Sequence, residues 1–379
     1  MKVLNVNISL DTVSGGGTAE RTFQMSRFLK SEGADCAILT LDIGLDSRPR
    51  EKLSGISVTA LRCVFPRYHV FPLPESRVMK LVQWADVIHV MDHWTLLNAV
   101  VYRAARKADR PYVVCPAGAL QLYGRSLAFK KLYNRFIGSS IIRNAAACVA
   151  IADNEIEQFR QQGVGDNRIV LIPNGVDPDD FRGGDPEAFR RKFGIGDFPF
   201  VLFMGRLNPI KGPDLLLQAF FRIDGHVGDL QLVFAGPDGG MLAALRTMAR
   251  EAGVANRVHF IGHISGHDKA GAYSAASLLA IPSRHEAMSI VVLEAGICGT
   301  PVLITDRCGF GEVEQIGGGR VVRATQEELE ASLLEMLKAP ALLRSMGLKL
   351  KDHVTRHYLW KATARKYLDL FDRILGAGQ

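Results

Sequence analysis

Residues 281–306 read IPSRHEAMSIVVLEAGICGTPVLITD, and the reading of this stretch decides the fold. LLAIPS (278–283) has the short apolar run of a buried strand, Ser289 opens a helix, and PVLITD (301–306) is a second buried strand. A strand, a helix and a second strand in that order form the unit of a parallel sheet with a right-handed crossover. Two carboxylates, Glu286 and Glu294, stand eight positions apart in it, with the apolar run Ile290–Leu293 between them. A buried α/β segment ordinarily excludes such groups. An exposed ion-pair network fits poorly, because IVVLEAGICGTPV is too apolar for a surface helix. Glu286 belongs to the loop before the helix. Glu294 lies inside it, on the order of 7–8 Å along the axis from Ser289. With Ser289 as N-cap, the N–H groups of Ile290 and Val291 are left to meet a phosphate. Two acceptors so placed suit hydroxyls on either side of a diphosphate, one on a sugar and one on a ribose.

The same alternation extends outward. Downstream of residue 187 the apolar strands are FVLFMG (200–205), LQLVFAGPD (230–238), VHFIG (258–262) and GRVVR (319–323), with helices between them. Upstream they are VLNVNIS (3–9), CAILTLD (36–42), DVIHVMD (86–92), YVVCPAG (112–118), ACVAIAD (147–153) and RIVLIPNGV (168–176). Helices are expected over about 18–30, 94–108 and 154–162, with basic helices running to about 145 and an irregular stretch over 43–75. The polar, Gly/Pro/Asp-rich PNGVDPDDFRGGDPE (173–187) reads as a linker. The expected architecture is therefore α/β, with two Rossmann-like domains facing a cleft. One spans 1–175 and the other 176–359, and ligands meet the loops beyond the carboxyl ends of the strands. The segment HYLWKATARKYLDLFDRIL (357–375) is an amphipathic helix with Leu359, Tyr367, Leu368, Phe371 and Leu375 toward one side. It needs a partner surface, most simply the body of the protein.

Composition narrows the class. The chain of 379 residues is 47% hydrophobic and 22% charged, and its mean hydropathy is +0.08. No apolar stretch reaches the roughly 18 residues of a membrane-spanning helix. MKVLNVNISLD, with one lysine and two asparagines, reads as a first strand rather than a signal peptide. Six scattered cysteines, without a CxxC pair, read as reduced core residues of a cytosolic protein. The net charge of +7 is uneven: residues 1–175 hold 22 Lys/Arg against 15 Asp/Glu, and 176–379 hold 24 of each. Segment 103–143 carries nine basic residues and one acid, Asp109. Such a run is either a solvated helical face or an attraction to an anionic surface, and charge alone does not separate the two.

Three further groups of residues carry chemistry. Ser14-Gly15-Gly16-Gly17 stands between the first strand and the first helix, where bare backbone and helix N–H groups can approach a phosphate. The pattern is neither GxGxxG nor a Walker loop, which disfavours a dinucleotide oxidoreductase and a P-loop nucleotidase. In FMGRLNPIKGPDLLLQAF, Arg206 and Lys211 flank a turn at the end of a strand, just before a helix near Pro213. Two cations so placed form a clamp for a diphosphate. Asp92 and His93 end the strand DVIHVMD on the same side, where a lone histidine is either a structural residue or one that meets a ligand or a developing charge.

Taken together, Glu286-x7-Glu294, the preceding PS, the following EA-x4-GTPV, GR-x4-KG, the Gly loop, PNGVD (173–177) and VFAGPDG (233–239) resemble family 4 glycosyltransferases with the GT-B fold. The resemblance covers nearly the whole chain. It implies a retaining, metal-independent hexosyltransferase that moves a sugar from a nucleotide-sugar donor to a glycan or lipid-linked acceptor, in polysaccharide or glycolipid biosynthesis. It implies a cytoplasmic protein, at the inner membrane face if segment 103–143 docks there, with no nucleic acid as partner. By motif match Glu286 holds donor sugar hydroxyls and Glu294 the ribose. Arg206 and Lys211 neutralise the diphosphate, with Gly16, Gly17, Ser289, Ile290 and Val291 assisting. Asp92 and His93 fall on the acceptor side, with His93 near the reaction. No metal site and no cofactor are implied, and the acidic DPD at 177–179 falls in the linker. The final helix, 360–379, crosses back to the first domain. Two departures stand out. Members often carry EGFG where this chain has Glu286-Ala287-Met288-Ser289. Many also carry a histidine where this chain has Cys115-Pro116-Ala117-Gly118. A nucleotide-sugar epimerase and a non-catalytic nucleotide-sugar-binding protein are the alternatives on this frame.

Overall fold

The computed structural model describes residues 1–45, 53–65, 69–72, 75–121 and 127–376. They form two compact units, Met1–Gly175 with Trp360–Gln379, and Val176–Leu359. The strands of the first are β1 (Lys2–Val6), β2 (Asp35–Leu41), β3 (Ser57–Leu61), β4 (Val87–Met91), β5 (Tyr112–Cys115), β6 (Ala147–Ala150) and β7 (Ile169–Leu171). They pair in the order β3-β2-β1-β4-β5-β6-β7, all parallel, with registers such as Val3↔Cys36, Val3↔Val87 and Ile88↔Tyr112. The helices are α1 (Thr12–Ser31), α2 (Glu75–Trp84), α3 (Leu96–Lys107), α4 (Leu127–Tyr133), a π-helical turn Asn134–Gly138, α5 (Ser139–Arg143) and α6 (Asp153–Gln161). Strands β4, β5 and β6 are buried at every position, as expected of parallel strands covered on both faces. The two asparagines of β1 and its following residue are buried too. Asn5 Nδ2 donates to Ser26 Oγ at 2.9 Å and Asn7 Nδ2 to Thr22 Oγ1 at 2.9 Å, which fixes α1 on the sheet.

The second unit has β8 (Phe200–Met204), β9 (Gln231–Ala235), β10 (Val258–Gly262), β11 (Leu278–Ile281), β12 (Val302–Thr305) and β13 (Gly319–Val322). Their order is β10-β9-β8-β11-β12-β13, again parallel throughout. Its helices are α7 (Pro186–Phe193), α8 (Pro213–Ile223), α9 (Leu242–Glu251), α10 (Gly266–Ala275), α11 (Ile290–Cys298), α12 (Glu312–Gln315), α13 (Gln326–Leu337) and α14 (Pro340–His357). In each sheet the order turns back once, between β1 and β4 and between β8 and β11. That switch point leaves an open crevice at the carboxyl ends of the two strands.

Several expectations need correction. The stretch 43–75 is not wholly irregular, because Ser57–Leu61 forms β3; it is an edge strand, part-exposed at most positions, and so lacks the apolar run that marks a buried strand. The Gly loop is not a loop before the helix. A helical turn already begins at Thr12, with Asp11 Oδ1 accepting the N–H of Val13 at 3.0 Å; the helix kinks at Gly16, and the long part of α1 follows it, near the expected start. The linker is also more ordered than its composition suggests, since Asn174 and Asp177 are buried. Asp177 caps a 3-10 turn, Pro178–Phe181, through the N–H of Asp179. All six cysteines are free, but Cys63 and Cys298 are only part-buried. Among the described residues no helix is long and apolar enough to cross a membrane.

The last helix, α15 (Trp360–Gly376), returns to the first unit and packs along α1. Its buried stripe is Trp360, Ala364, Tyr367, Leu370 and Phe371, whereas Leu359, Leu368 and Leu375 are part-exposed. The stripe is shifted because the helix starts at Trp360, after α14 ends at His357, and does not run through 357–375. At its centre Arg21 is fully buried. Its guanidinium donates to Asn174 Oδ1 at 2.7 Å, the Ile172 carbonyl at 2.9 Å and Tyr367 Oη at 2.8 Å. Side chain and backbone from two separate segments, the stretch after β7 and α15, thus converge on one α1 residue. Arg21→Ala strands all three acceptors and is expected to cost about 3–5 kcal/mol. Tyr367→Phe, which leaves two of the bonds, should cost about 1–2 kcal/mol. Urea-unfolding midpoints of the two variants measure both, and equal losses would show that Tyr367 alone carries the contact.

Candidate functional site

In the second unit the switch point brings together residues far apart in sequence. The loop after β8 carries Arg206 and Lys211, and the loop after β11 carries Ser283, Arg284 and Glu286. Gly212, at φ 66, lies so close to the other loop that a Cβ there would meet the Pro282 carbonyl oxygen at 2.1 Å. Only glycine allows both that approach and that backbone angle. Arg284 N–H donates to the Ile210 carbonyl at 2.7 Å, and its guanidinium grips Asp214 of α8 through two bonds of 2.9 and 2.6 Å. Such a bidentate pair adds geometric definition as well as attraction. The two loops are therefore held as one piece.

On that piece Lys211 Nζ lies 2.8 Å from Glu286 Oε1, and Ser283 Oγ donates to the same oxygen. The Glu286 side chain is 8% exposed and that of Lys211 33%. Burial works to raise the Glu286 pKa. The Lys211 charge and the hydrogen bonds from Lys211 and Ser283 outweigh it, so the carboxyl is held below its ordinary value and ionised. Helix α11 starts beside it. Ser289 occupies the N-cap position at φ −80, but its hydroxyl makes no capping bond, contrary to the expected role. The first-turn N–H groups at Ile290 and Val291 therefore keep their anion-binding capacity. Arg206 stands in the same loop as Lys211 and packs against Gly239.

Glu294 is in a different setting. It is buried inside α11, and its carboxylate accepts from Lys269 Nζ at 2.5 Å and from Tyr273 Oη at 2.6 Å. Lys269 and Tyr273 project from one face of α10, and sequence reasoning missed both. Their four-residue spacing on a helix was the available signal. Ala287 and Ser289, where the resemblance leads one to expect glycines, are not among the residues with positive φ, so their side chains impose no backbone strain.

In the first unit, Gly16 has φ 58 and ψ −138, a conformation essentially closed to other residues, and nothing stands within 4 Å of where a Cβ would be. Gly17 beside it is exposed. The strand expected to present His93 to a ligand ends differently. His93 is 1% exposed, its Nε2 bonds Asn134 Oδ1 at 2.8 Å, and its ring packs edge-on against Trp94 and Tyr133. Burial lowers its pKa to about 4, so the imidazole is neutral and does not project into open space. Asp92 adopts φ 61, and burial raises its carboxyl to about 7. The Cys115–Gly118 loop is tied down by a buried carboxylate that sequence reasoning missed. Glu155 accepts from the N–H groups of Gly118 and Ile151. Among the described residues no three His, Cys, Asp or Glu side chains converge as metal ligands.

Against known proteins, residues 185–352 match the family described as "Glycosyl transferases group 1", and residues 16–175 match the "Glycosyl transferase 4-like domain". The D-inositol 3-phosphate glycosyltransferase of Stackebrandtia nassauensis is 30% identical over 308 residues, which cover 77% of this chain and 67% of the relative. The corresponding enzyme 2 of Catenulispora acidiphila is 31% identical over 252 residues, covering 63% of this chain and 59% of its own length. This chain thus spans less than two thirds of the second relative. The crystal structure of HepE from Anabaena in complex with UDP and glucose superposes with a TM-score of 0.83 at 18% identity, over 98% of this chain and all of the other.

The perturbed Asp92 carboxyl has a measurable consequence. With its folded pKa at about 7 and an ordinary value of about 4, the folded protein retains a proton that the unfolded chain releases. Stability is therefore lost as pH rises through that window. Asp92→Asn removes the titration and tolerates the left-handed backbone. It is expected to raise unfolding stability by about 2–4 kcal/mol at pH 8 relative to the parent, with the gain shrinking toward zero at pH 4. A pH-independent gain in urea titrations would show that the carboxyl is not perturbed.

Proposed function

The chain belongs to the family 4, group 1 glycosyltransferases of the GT-B fold, and from that premise we propose that it transfers a hexose with retention from a nucleotide-sugar, without a metal ion, to a glycan or lipid-linked acceptor. The observation that carries the reading is the Lys211–Glu286 pair at the foot of α11. Departure of a nucleoside diphosphate builds negative charge. Lys211, Arg206 and the N–H groups of Ile290 and Val291 supply fixed positive charge where another enzyme would use Mg2+. Lys211 is the more exposed partner. When it turns to the phosphates, the Glu286 carboxylate is released to accept hydrogen bonds from donor sugar hydroxyls. Glu294, held by Lys269 and Tyr273, would face the ribose, and Gly16 and Gly17 would offer bare backbone to the donor. Asp92 and His93 would contribute on the acceptor side, His93 by shaping the wall as a neutral ring.

HepE was crystallised with UDP and glucose, which makes UDP-sugars the first donors to test. A phosphorylated polyol is the second acceptor class to test, because the relatives are named for inositol 3-phosphate and the excess positive charge lies in residues 1–175. We place the reaction in the cytoplasm, where nucleotide-sugars and reduced cysteines coexist.

Lys211→Ala and Glu286→Gln are each expected to lower turnover by about 10²–10³-fold, read as nucleoside diphosphate released from a UDP-, GDP-, ADP- and dTDP-sugar panel. The circular dichroism of both variants should match the parent. EDTA should leave the parent's rate unchanged, and the product anomer by NMR should match the donor's. Normal turnover in both variants would remove the site assignment. A rate abolished by EDTA and restored by Mg2+ would remove the metal-free mechanism.

A further inference from the structure

Segment 127–143 is a continuous helical run, α4, the π-helical turn and α5, and its inner side is ordinary core: Tyr133, Ile141 and Ile142 are buried. Its outer side is not an ordinary surface. Phe129 is 54% exposed, Leu132 54% and Phe136 73%, and the spacing of three and four residues puts them on one face. Large apolar side chains scattered singly need no explanation, but three aligned on one helical face do. Cations border them, with Lys130 over the Trp94 ring and Lys131 and Arg135 among the exposed positions. From Arg110 to Ala152 the sequence has no acidic residue.

From this arrangement we infer that the Phe129–Leu132–Phe136 stripe inserts into the interface of an anionic phospholipid bilayer, with Lys130, Lys131 and Arg135 meeting the headgroups. Rings and a leucine on one line, flanked by lysine and arginine, are the physical requirements of an interfacial helix. The apolar stripe enters the acyl boundary, and each nearby cation adds electrostatic attraction to an anionic leaflet. A second copy of the chain is a poorer occupant, because it would bring the same cations against these. A protein groove is poorer as well, because lysine is depleted in such interfaces. The basic composition alone leaves an anionic surface open as a partner. The aligned apolar residues are what separate insertion from a merely solvated face. Vesicle binding needs neither donor nor acceptor, so it succeeds or fails independently of the proposed reaction.

The experiment is co-sedimentation of the full chain with vesicles of phosphatidylcholine alone or mixed with phosphatidylglycerol. Binding is expected only to the mixed vesicles, and salt should weaken it. Phe129→Ser and Phe136→Ser should each lower the partition coefficient by about tenfold or more, with Tm unchanged because both rings are exposed. Phe136→Trp should show a blue-shifted difference emission on addition of mixed vesicles. Partitioning of the double serine variant equal to the parent's, or an unshifted emission, overturns the inference. So does a dimer in sedimentation velocity that the serine substitutions dissolve, because the stripe would then be a self-interface.

Discussion

The Lys211–Glu286 ion pair stands at the centre of the candidate site of the second unit, and it exists because of a constraint on the backbone. The sheet turns back between β8 and β11, so the loops leaving those two strands are neighbours although Lys211 and Glu286 are 75 positions apart in sequence. A right-handed crossover on either side of the turn leaves no helix over that edge. The crevice then needs its walls fixed, which the Gly212 contact with Pro282 and the Arg284–Asp214 grip accomplish. An ion pair between two loose loops would contribute little. Between two loops held rigid it defines a position in space.

The first unit repeats the device with different contents. Its switch point lies between β1 and β4, and the residues there are Gly16, Gly17, Asp92 and His93. Here the polar groups are turned inward, with His93 against Trp94 and Tyr133 and Asp92 held in a left-handed backbone. Uncharged histidine beside a carboxyl pushed up to about 7 makes this end nearly neutral, in contrast with the ionised pair of the second unit. A separate buried cluster around Arg21 joins α1, the segment after β7 and α15.

The strands buried on both faces are legible in the sequence, because a covered parallel strand must be an unbroken apolar run. The positions of Glu286, Glu294, Arg206 and Lys211 at the ends of such runs are legible as well, because charged residues there stand out against the apolar pattern. What escapes lacks a local signature. β3 is an edge strand with one face half open, and its alternation is too weak to read. The helical turn before Gly16 depends on Asp11 capping, which looks like loop composition. Lys269, Tyr273 and Glu155 act through partners 25, 21 and 37 positions away, and nothing near them in sequence announces the pairing. The sequence places His93 at the correct strand end, but its burial is set by Trp94 and by Tyr133 from a later helix.

Glu286 and Glu294 differ most in what their partners are free to do. Glu294 is buried and bonded at both oxygens, by a lysine and a tyrosine on a neighbouring helix, so its geometry is fixed before any ligand arrives. Glu286 is bonded by Ser283 and by a third-exposed lysine, and the lysine can leave. In the proposed reaction, a carboxylate whose cation is exchangeable would trade that bond for sugar hydroxyls at small net cost, because the lysine would gain phosphate contacts in the same step. A carboxylate locked in place serves instead as a ruler. The departures at Ala287 and Ser289 fall beside the exchangeable member of the pair, where neither residue strains the backbone. Ser289 is buried, so of the two it is the part-exposed Ala287 whose added methyl stands beside Glu286, and under the proposed reaction selectivity for the donor sugar is the property it would touch.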